Sequence, residues 1–189
     1  MLSKGDILCH GSYAEIRTID LAQCVPGKDF GKGFYLTSSY EQAQKFIRTS
    51  LRKAQAIGRV EPEQHYGYVS SFRLTSLEGL VVYDFPDADA SWLRYVSVNR
   101  RPQLAEELFP TLDPLLREAD VVIGKIANDT TNRVIATYLN GLYGEIGSAR
   151  AEETAIDLLL PERLEDQYCF RTKEAVAKLE LVEVDRHDL

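Results

Sequence analysis

The sequence predicts a single α+β domain. At 189 residues the chain has the usual length of one domain, and it contains no repeat, low-complexity tract or linker. Candidate strands and helices are interspersed without the strict alternation of a doubly wound sheet. Three irregularly spaced cysteines argue against a disulfide framework and a zinc site. We therefore expect one domain over residues 1–189, held together by apolar burial.

Two short strands and a capped helix are expected in the first third of the chain. Residues 6–10 and 33–37 are short apolar runs, as in strands. Ser39 and Gln42 have the Ser-x-x-Gln spacing of a capping box, which begins a helix. Gly58 ends the helical pattern, so this helix should extend from the capping box to about Ile57.

Further strands and helices follow in irregular order. The predicted strands are residues 66–75, 80–85, 120–127, 167–171 and 179–184. The predicted helices are residues 91–99, 105–118, 132–142 and 149–157. The polar cluster 128–132 has two interpretations: it positions Asp129 at a cleft edge, or it caps the next helix, as Asp, Thr and Asn commonly do.

A glycine-rich stretch and the His-Gly-Ser motif upstream of it are the most informative local features. Gly27, Gly31 and Gly33 fall close together, which lets the main chain turn tightly and approach a ligand. Residues 34–36 then leave this turn as a strand, and residues 10–12 precede it by about one strand, loop and turn. The two motifs together predict a nucleotide pocket.

His10-Gly11-Ser12 followed by Gly33-Phe34-Tyr35-Leu36 resembles the ADP-ribosyltransferase superfamily, in the branch related to diphtheria toxin and the poly(ADP-ribose) polymerases. The longer run from Gly27 to Thr37, with Gln42-Ala43 on the next helix, is similar to a bacterial ADP-ribosyltransferase-like family of unknown function. This similarity extends over nearly the whole chain. It implies a split mixed β-sheet with flanking helices and NAD in the cleft between two small sheets.

The resemblance also implies roles for the motif residues. His10 would bind a hydroxyl of the adenine-side ribose, Gly11 would hold the nicotinamide amide through its backbone, and Tyr35 would stack on the nicotinamide ring. Ser12 and Gly33 complete this part of the expected NAD-binding set. Taken alone, a histidine at the end of a buried strand is more often a satisfied core residue, and Tyr35 more often packs its strand; the order of the two motifs favours the NAD-binding roles.

Phe46 falls where many relatives carry a second stacking aromatic, and it belongs to the expected NAD-binding set. Ala43, Phe46 and Ile47 would also form an apolar stripe at helical spacing, so a core role is an alternative. Ala43 stands where many relatives have the serine that holds the nicotinamide amide. That contact would then be missing, or come from Ser38 or Ser39.

The third motif of the superfamily is a glutamate near the start of a late strand, which binds the ribose 2′-hydroxyl and stabilises the oxocarbenium. Here Gln167 takes its place, and a glutamine carries no negative charge. Glu165 is the candidate acid, because residues two apart on a strand face the same side. Alternatively, Glu165 and Asp166 are solvated loop acids. The expected catalytic residues are His10, Tyr35, Gln167 and Glu165.

The resemblance therefore implies a mono-ADP-ribosyltransferase that uses NAD as substrate and needs no metal. Its acceptor would be a protein or a nucleic acid, and chain elongation is not expected without an acid at position 167. The alternatives are a catalytically silent NAD or ADP-ribose binding module, and an NAD glycohydrolase. A bacterial toxin role, with a cognate antitoxin or inhibitor, follows by family analogy alone.

The formal net charge of −7 disfavours a protein that simply coats nucleic acid, but the charge is uneven. Residues 28–59 carry +5 and the rest carries −12. This basic stretch is either a solvated helix face or a positive rim that attracts a pyrophosphate or a nucleic-acid acceptor. Its bases are Lys28, Lys32, Lys45, Arg48, Arg52, Lys53 and Arg59.

The N-terminal residues lack the apolar core of a signal peptide, and no apolar run approaches the roughly 18 residues of a membrane span. These features predict a cytoplasmic protein without a membrane partner. Secretion as an effector, by a route that needs no cleaved signal, is a further alternative.

Overall fold

The structure of the protein is a computed structural model that describes residues 2–125, 129–159 and 164–189. Its strands lie in two sheets, the first antiparallel with the order β1-β3-β7 and the second with the order β2-β6-β5-β4, in which β4 and β5 are parallel. The strands are β1 (Ile7–Ser12), β2 (Phe34–Leu36), β3 (Tyr66–Leu74), β4 (Val82–Asp84), β5 (Val121–Lys125), β6 (Asp166–Phe170) and β7 (Leu179–Asp188). The expected α+β class is confirmed.

The described α-helices fall into a longer and a shorter group. Those of eleven residues or more are α1 (Tyr40–Ala56), α2 (Ala90–Arg100), α5 (Asp129–Leu139) and α6 (Ala149–Leu159). The short ones are α3 (Ala105–Leu108), α4 (Leu115–Glu118) and α7 (Lys173–Val176). None of the helices in the described ranges is both long and apolar enough to cross a membrane.

The prediction of one helix over residues 105–118 is wrong. Helix α3 ends at Leu108, a 3-10 turn with Pro110 follows, and α4 begins directly after Pro114. Proline lacks the N–H of an interior helical residue, and its ring clashes with the preceding turn, so the two prolines divide the segment. The predicted boundaries of the other elements differ from the structure by a few residues. In the polar cluster, Asn128 and the side chain of Asp129 lie outside the described residues.

Helix α1 begins as predicted, although its cap includes a third residue. The Ser39 side chain accepts a hydrogen bond from the main-chain N–H of Gln42, as in a capping box. The Gln42 side chain does not return to Ser39, because its oxygen accepts from the hydroxyl of Thr37 at 3.0 Å. The Thr37 hydroxyl in turn accepts from the N–H of Ser39 at 3.1 Å. The relay ties the end of β2 to the start of α1.

The described apolar core has three clusters: one lies on each side of the second sheet, and a small one, formed by Cys9, Ala43, Ile47 and Val69, lies between α1 and the first sheet. The larger cluster of the second sheet surrounds Trp92, Tyr95 and Tyr138 and joins the helices to this sheet. The cluster on its other side contains side chains from both sheets, including Phe34 and Phe72. Because the two sheets share this cluster, their relative position is fixed by apolar burial.

Candidate functional site

The two sheets are joined at one main-chain bridge, and the predicted motifs lie directly beside it. Cys9 donates its N–H to the carbonyl of Thr37 at 2.7 Å, and Thr37 donates to the carbonyl of Cys9 at 3.0 Å. Among the described residues this is the only ladder contact between the sheets. Beyond it, β1 continues with residues 10–12 while β2 runs back toward residue 34, and the two strands no longer pair.

Gly11 is the residue of β1 that faces this opening with its main chain. In an antiparallel sheet, successive residues direct their N–H and C=O groups to opposite edges. Cys9 uses these groups toward Thr37, so those of Gly11 point to the same edge, after β2 has diverged. A Cβ at Gly11 would lie 1.7 Å from the carbonyl oxygen of Ala43 in α1. The glycine therefore allows α1 to lie directly on β1.

Gly33 is required by close packing on the other sheet. A Cβ there would lie 2.5 Å from the sulfur of Cys169 and 2.8 Å from the carbonyl oxygen of Phe170, both in β6. Ser12, the last residue of β1, is buried, and its hydroxyl accepts from the N–H of Ala14 at 3.3 Å. The structure thus gives both residues a local structural role, and their contact with NAD stays a prediction.

His10 holds its imidazole between the two strands. Its Nδ1 lies 2.8 Å from the carbonyl oxygen of Tyr35, and its ring packs on Phe34 with the centroids 4.5 Å apart. A carbonyl only accepts, so Nδ1 carries the proton and Nε2 of the neutral ring is an acceptor. Burial lowers the pKa of His10, which keeps the ring neutral near pH 7. Within the described ranges, no group bonds to Nε2, so it remains available to a hydroxyl donor.

The lowered pKa of His10 predicts a pH dependence of stability. The unfolded histidine titrates at about 6.5, and between that value and the lower folded pKa the unfolded chain binds more protons. The stabilisation is therefore fully present above about pH 6.5 and is lost as pH falls toward the folded pKa. Urea unfolding of the wild type and of His10→Asn between pH 5 and 8 should give a free-energy difference that changes only in the acidic part. Parallel profiles would contradict a buried neutral imidazole.

Tyr35 holds the glycine-rich turn in place through its hydroxyl. The hydroxyl accepts from the N–H of Phe30 at 2.9 Å and donates to the carbonyl of Gly31 at 2.8 Å. Burial raises the pKa of Tyr35, so the hydroxyl stays protonated. The half-buried ring packs against the larger core cluster. Tyr35 thus has the packing role that the sequence left open, and stacking on nicotinamide stays a prediction.

Gln167 lies in a polar network that the sequence analysis did not identify. It is only 5 % exposed, and its Nε2 donates to Oδ2 of Asp29 at 3.1 Å and to the carbonyl of Lys125 at 3.3 Å. Oδ1 of Asp29 accepts from Nε and Nη2 of Arg100 at 2.9 and 2.6 Å. Nη2 of Arg100 also donates to Asn132 at 2.7 Å. Asp29, not Glu165, is therefore the acid bonded to Gln167.

Glu165 is exposed and precedes β6, which begins at Asp166. The carboxylate of Asp166 accepts from the ammonium of Lys125 at 3.0 Å. The charge of Glu165 reaches Lys45 of α1, because it adds weakly to a rise in the pKa of Lys45. The main cause of that rise is Glu41, whose Oε1 lies 2.7 Å from Nζ of Lys45. Glu165 therefore has the surroundings of a solvated acid near α1, and its catalytic role stays a prediction.

Phe46 lies on the outer side of α1. It is 44 % exposed, whereas the buried residues of the helix are Ala43, Ile47, Leu51 and Ala54. The alternative that placed Phe46 in the core is therefore wrong. Its exposed ring remains available to stack on a ligand. Ser39 is used for the helix cap and Ser38 is exposed, so neither is shown to replace the serine absent at Ala43.

The basic stretch forms an exposed surface that has few acidic partners. Its described ion pair is that of Lys45 with Glu41, and no acid occurs in residues 42–60. Desolvation lowers the pKa of Lys28, and the charge of Lys53 lowers it further, so the glycine-rich loop lies near the C-terminal part of α1. This surface carries positive charge on an otherwise acidic protein.

A broad surface depression of about 760 Å³ lies elsewhere, on the helical side of the molecule. Its described lining includes Arg101, Leu104, Leu139 and Asn140, and none of the predicted site residues. We favour the edge between β1 and β2 as the site, because the open acceptor of His10 and the main-chain groups of Gly11 lie there. In the described ranges, no group of three His, Cys, Asp or Glu side chains is arranged to hold a metal ion.

Residues 7–181 match the model of a family described as Protein of unknown function (DUF3990). The chain belongs to this family. The DUF3990 match extends from the first residue of β1 into β7, and it therefore includes His10, Tyr35 and Gln167. No curated protein matches the chain.

Proposed function

We propose that this DUF3990 protein is an NAD-dependent mono-ADP-ribosyltransferase, which transfers ADP-ribose to a protein or nucleic-acid acceptor and releases nicotinamide. The observation that carries the proposal is the edge where β1 and β2 part. There, Nε2 of His10 is an available acceptor, and the main chain of Gly11 presents both a donor and an acceptor. The resemblance of the motifs to the ADP-ribosyltransferase superfamily, with its split sheet, supplies the reaction.

The reaction needs groups that hold two parts of NAD on either side of the bond to be broken. Nicotinamide leaves from the ribose through an oxocarbenium-like state, so the enzyme must fix both the leaving amide and the ribose. The carboxamide has one donor and one acceptor side, which the N–H and C=O of Gly11 complement. His10 would accept from a hydroxyl of the adenine-side ribose, while Tyr35 and the exposed Phe46 would provide stacking surfaces.

Transfer of a single ADP-ribose agrees better with this site than chain elongation. Elongation uses a carboxylate to activate a ribose hydroxyl, and position 167 carries an amide. Asp29, the acid bonded to this amide, forms an ion pair with Arg100, with Oδ1 and Nη2 2.6 Å apart. The acceptor would therefore have to be nucleophilic itself or bring its own base. The positive charges of Lys28 and Lys53 would attract the pyrophosphate of NAD.

A silent NAD or ADP-ribose binding module is the second candidate, and the environment of Gln167 favours it. Among the described residues, the carboxylate bonded to this side chain is that of Asp29, and it is paired with Arg100. Its negative charge would therefore stabilise the oxocarbenium only weakly. Such a module would bind NAD without releasing nicotinamide. An NAD glycohydrolase would release nicotinamide with water as the acceptor. The toxin role with a cognate inhibitor belongs to this proposal by analogy alone, and the cytoplasmic location rests on the sequence features given above.

One experiment separates these functions. Purified protein is incubated with NAD labelled in the adenine, with and without cell lysate, and three quantities are followed: NAD binding, nicotinamide release, and label transfer to protein and nucleic acid. We expect both release and transfer, with transfer dependent on lysate. Release without transfer would indicate the glycohydrolase, and binding without release the silent module. Absence of binding would contradict all three.

A further inference from the structure

The orientation of the Gln167 amide is determined by the chemistry of its neighbours. Its nitrogen lies 3.1 Å from Oδ2 of Asp29 and 3.3 Å from the carbonyl oxygen of Lys125. A carboxylate and a carbonyl can only accept, so both must face the NH₂ group. The two hydrogens of this nitrogen are thereby used. Oε1, the acceptor of the same amide, therefore points away from these two neighbours.

Oε1 of Gln167 is the polar atom of this buried side chain that the described residues leave unused. Among the described residues, none donates a hydrogen bond to it. A residue that is 95 % buried thus presents one acceptor atom. This is the hydrogen-bonding capacity of the superfamily's glutamate without its charge.

Asp29 is itself fixed, which makes it a firm support for Gln167. Arg100 donates twice to Oδ1, through Nε and Nη2, and this leaves Oδ2 for the glutamine. The side chains of Asp29 and Arg100 are 13 % and 19 % exposed, so solvent weakens the pair little. Gly31, two residues after Asp29, has φ of +81° and turns the chain back toward β2.

We propose that Asp29 is a positioning residue, which holds Gln167 so that Oε1 accepts a hydrogen bond from a ribose hydroxyl of the bound dinucleotide. The inference rests on the proposed function and adds the group that orients its third motif. Arg100 holds Asp29, Asp29 holds the nitrogen of Gln167, and the oxygen of Gln167 faces the ligand. The superfamily has a carboxylate at position 167, whereas here the carboxylate is that of Asp29, which is bonded to the amide of Gln167.

This arrangement makes an unusual prediction for Gln167→Glu. The variant restores the superfamily's glutamate, but it places a carboxylate next to Oδ2 of Asp29 and the carbonyl of Lys125, both of which only accept. Like charges at this distance repel, and the hydrogen bonds are lost. In the double variant Asp29→Asn/Gln167→Glu, the new asparagine donates to the new carboxylate, and its oxygen still accepts from Arg100. The repulsion between positions 29 and 167 is thereby removed, and only the contact with the Lys125 carbonyl stays unfavourable. The pair keeps its total charge with the two groups exchanged.

The experiment is a double-mutant cycle with three readouts: NAD affinity, kcat and KM for nicotinamide release, and thermal unfolding. We expect Gln167→Glu and Asp29→Asn each to lower kcat/KM by about 10-fold, and the double variant to return within about 3-fold of wild type. The control Asp157→Asn removes an exposed acid on α6 and should change kcat/KM less than about 2-fold.

Three outcomes would overturn the inference. Losses that multiply in the double variant would mean that Asp29 and Gln167 act independently. Wild-type kcat/KM in Gln167→Glu would mean that the carboxylate of Asp29 does not control this position. Coupling in thermal unfolding without coupling in kcat/KM or NAD affinity would make the pair purely structural. If the wild type neither binds NAD nor releases nicotinamide, the proposed function itself fails, and that result is recognisable before any variant is measured.

Discussion

Replacing His10 by asparagine should lower kcat/KM for NAD by about 100-fold, the upper range for loss of one strong hydrogen bond. The asparagine amide occupies roughly the place of Nδ1 and can still donate to the carbonyl of Tyr35, which His10 contacts at 2.8 Å. It has no counterpart of Nε2. The variant therefore removes the open acceptor and keeps the bond between the two strands. Initial rates of nicotinamide release and the free energy of unfolding should be measured together.

Two further variants make this result specific. His10→Gln reaches toward the Nε2 position but not toward Nδ1, so it should keep part of the NAD affinity and lose stability. His65→Asn alters an exposed histidine and should leave kcat/KM unchanged. If His10→Asn turned over NAD like the wild type, Nε2 would not contact the substrate, and the assignment of this edge as the site would be lost.

Gly11→Ala should destabilise the protein by about 3 kcal/mol, at the upper end of the usual cost of overpacking. The added methyl group would lie 1.7 Å from the carbonyl oxygen of Ala43, and the contact is with backbone, so no rotamer change can relieve it. Helix α1 would have to move away from β1. For a chain of this length the loss corresponds to a fall in Tm of about 6–12 °C, and thermal or urea unfolding would measure it.

Gly58→Ala is the matched control for this substitution. Gly58 has φ of +67°, and an added Cβ would meet nothing within 4 Å. Its replacement should cost about 1 kcal/mol, from backbone strain without a clash. If Gly11→Ala were no more destabilising than Gly58→Ala, α1 could not lie against β1 as the structure has it.

Local signals were sufficient for much of the fold. Ser39 and Gln42 define the start of α1, because an N-cap depends on neighbouring residues only. The helix predicted over residues 105–118 failed for a related reason, since its helical composition was given more weight than Pro110 and Pro114. Helical spacing alone also made a core position for Phe46 an alternative, and this alternative is wrong because Phe46 faces away from the sheet whereas Ile47 faces it.

The candidate site could be predicted from the sequence only in part. The His-Gly-Ser motif and Tyr35 are identified by short patterns, and the structure brings them to one edge. The bond between Asp29 and Gln167 joins residues 138 positions apart, and Arg100 is 71 positions from Asp29. Such a network depends on how the glycine-rich loop, α2 and β6 pack together. No local pattern in a single sequence encodes that packing.

The bridge between Cys9 and Thr37 is the main-chain part of the connection between the two sheets, and it adds one pair of hydrogen bonds to the apolar cluster that they share. Thr37 is also the residue whose hydroxyl receives the N–H of Ser39 and contacts Gln42 at the start of α1. Loss of this bridge would therefore disturb the edge between the sheets and the first turn of α1 together. The rest of α1 lies directly on β1, where a Cβ at Gly11 would meet the backbone of Ala43, so the helix would stay with the first sheet.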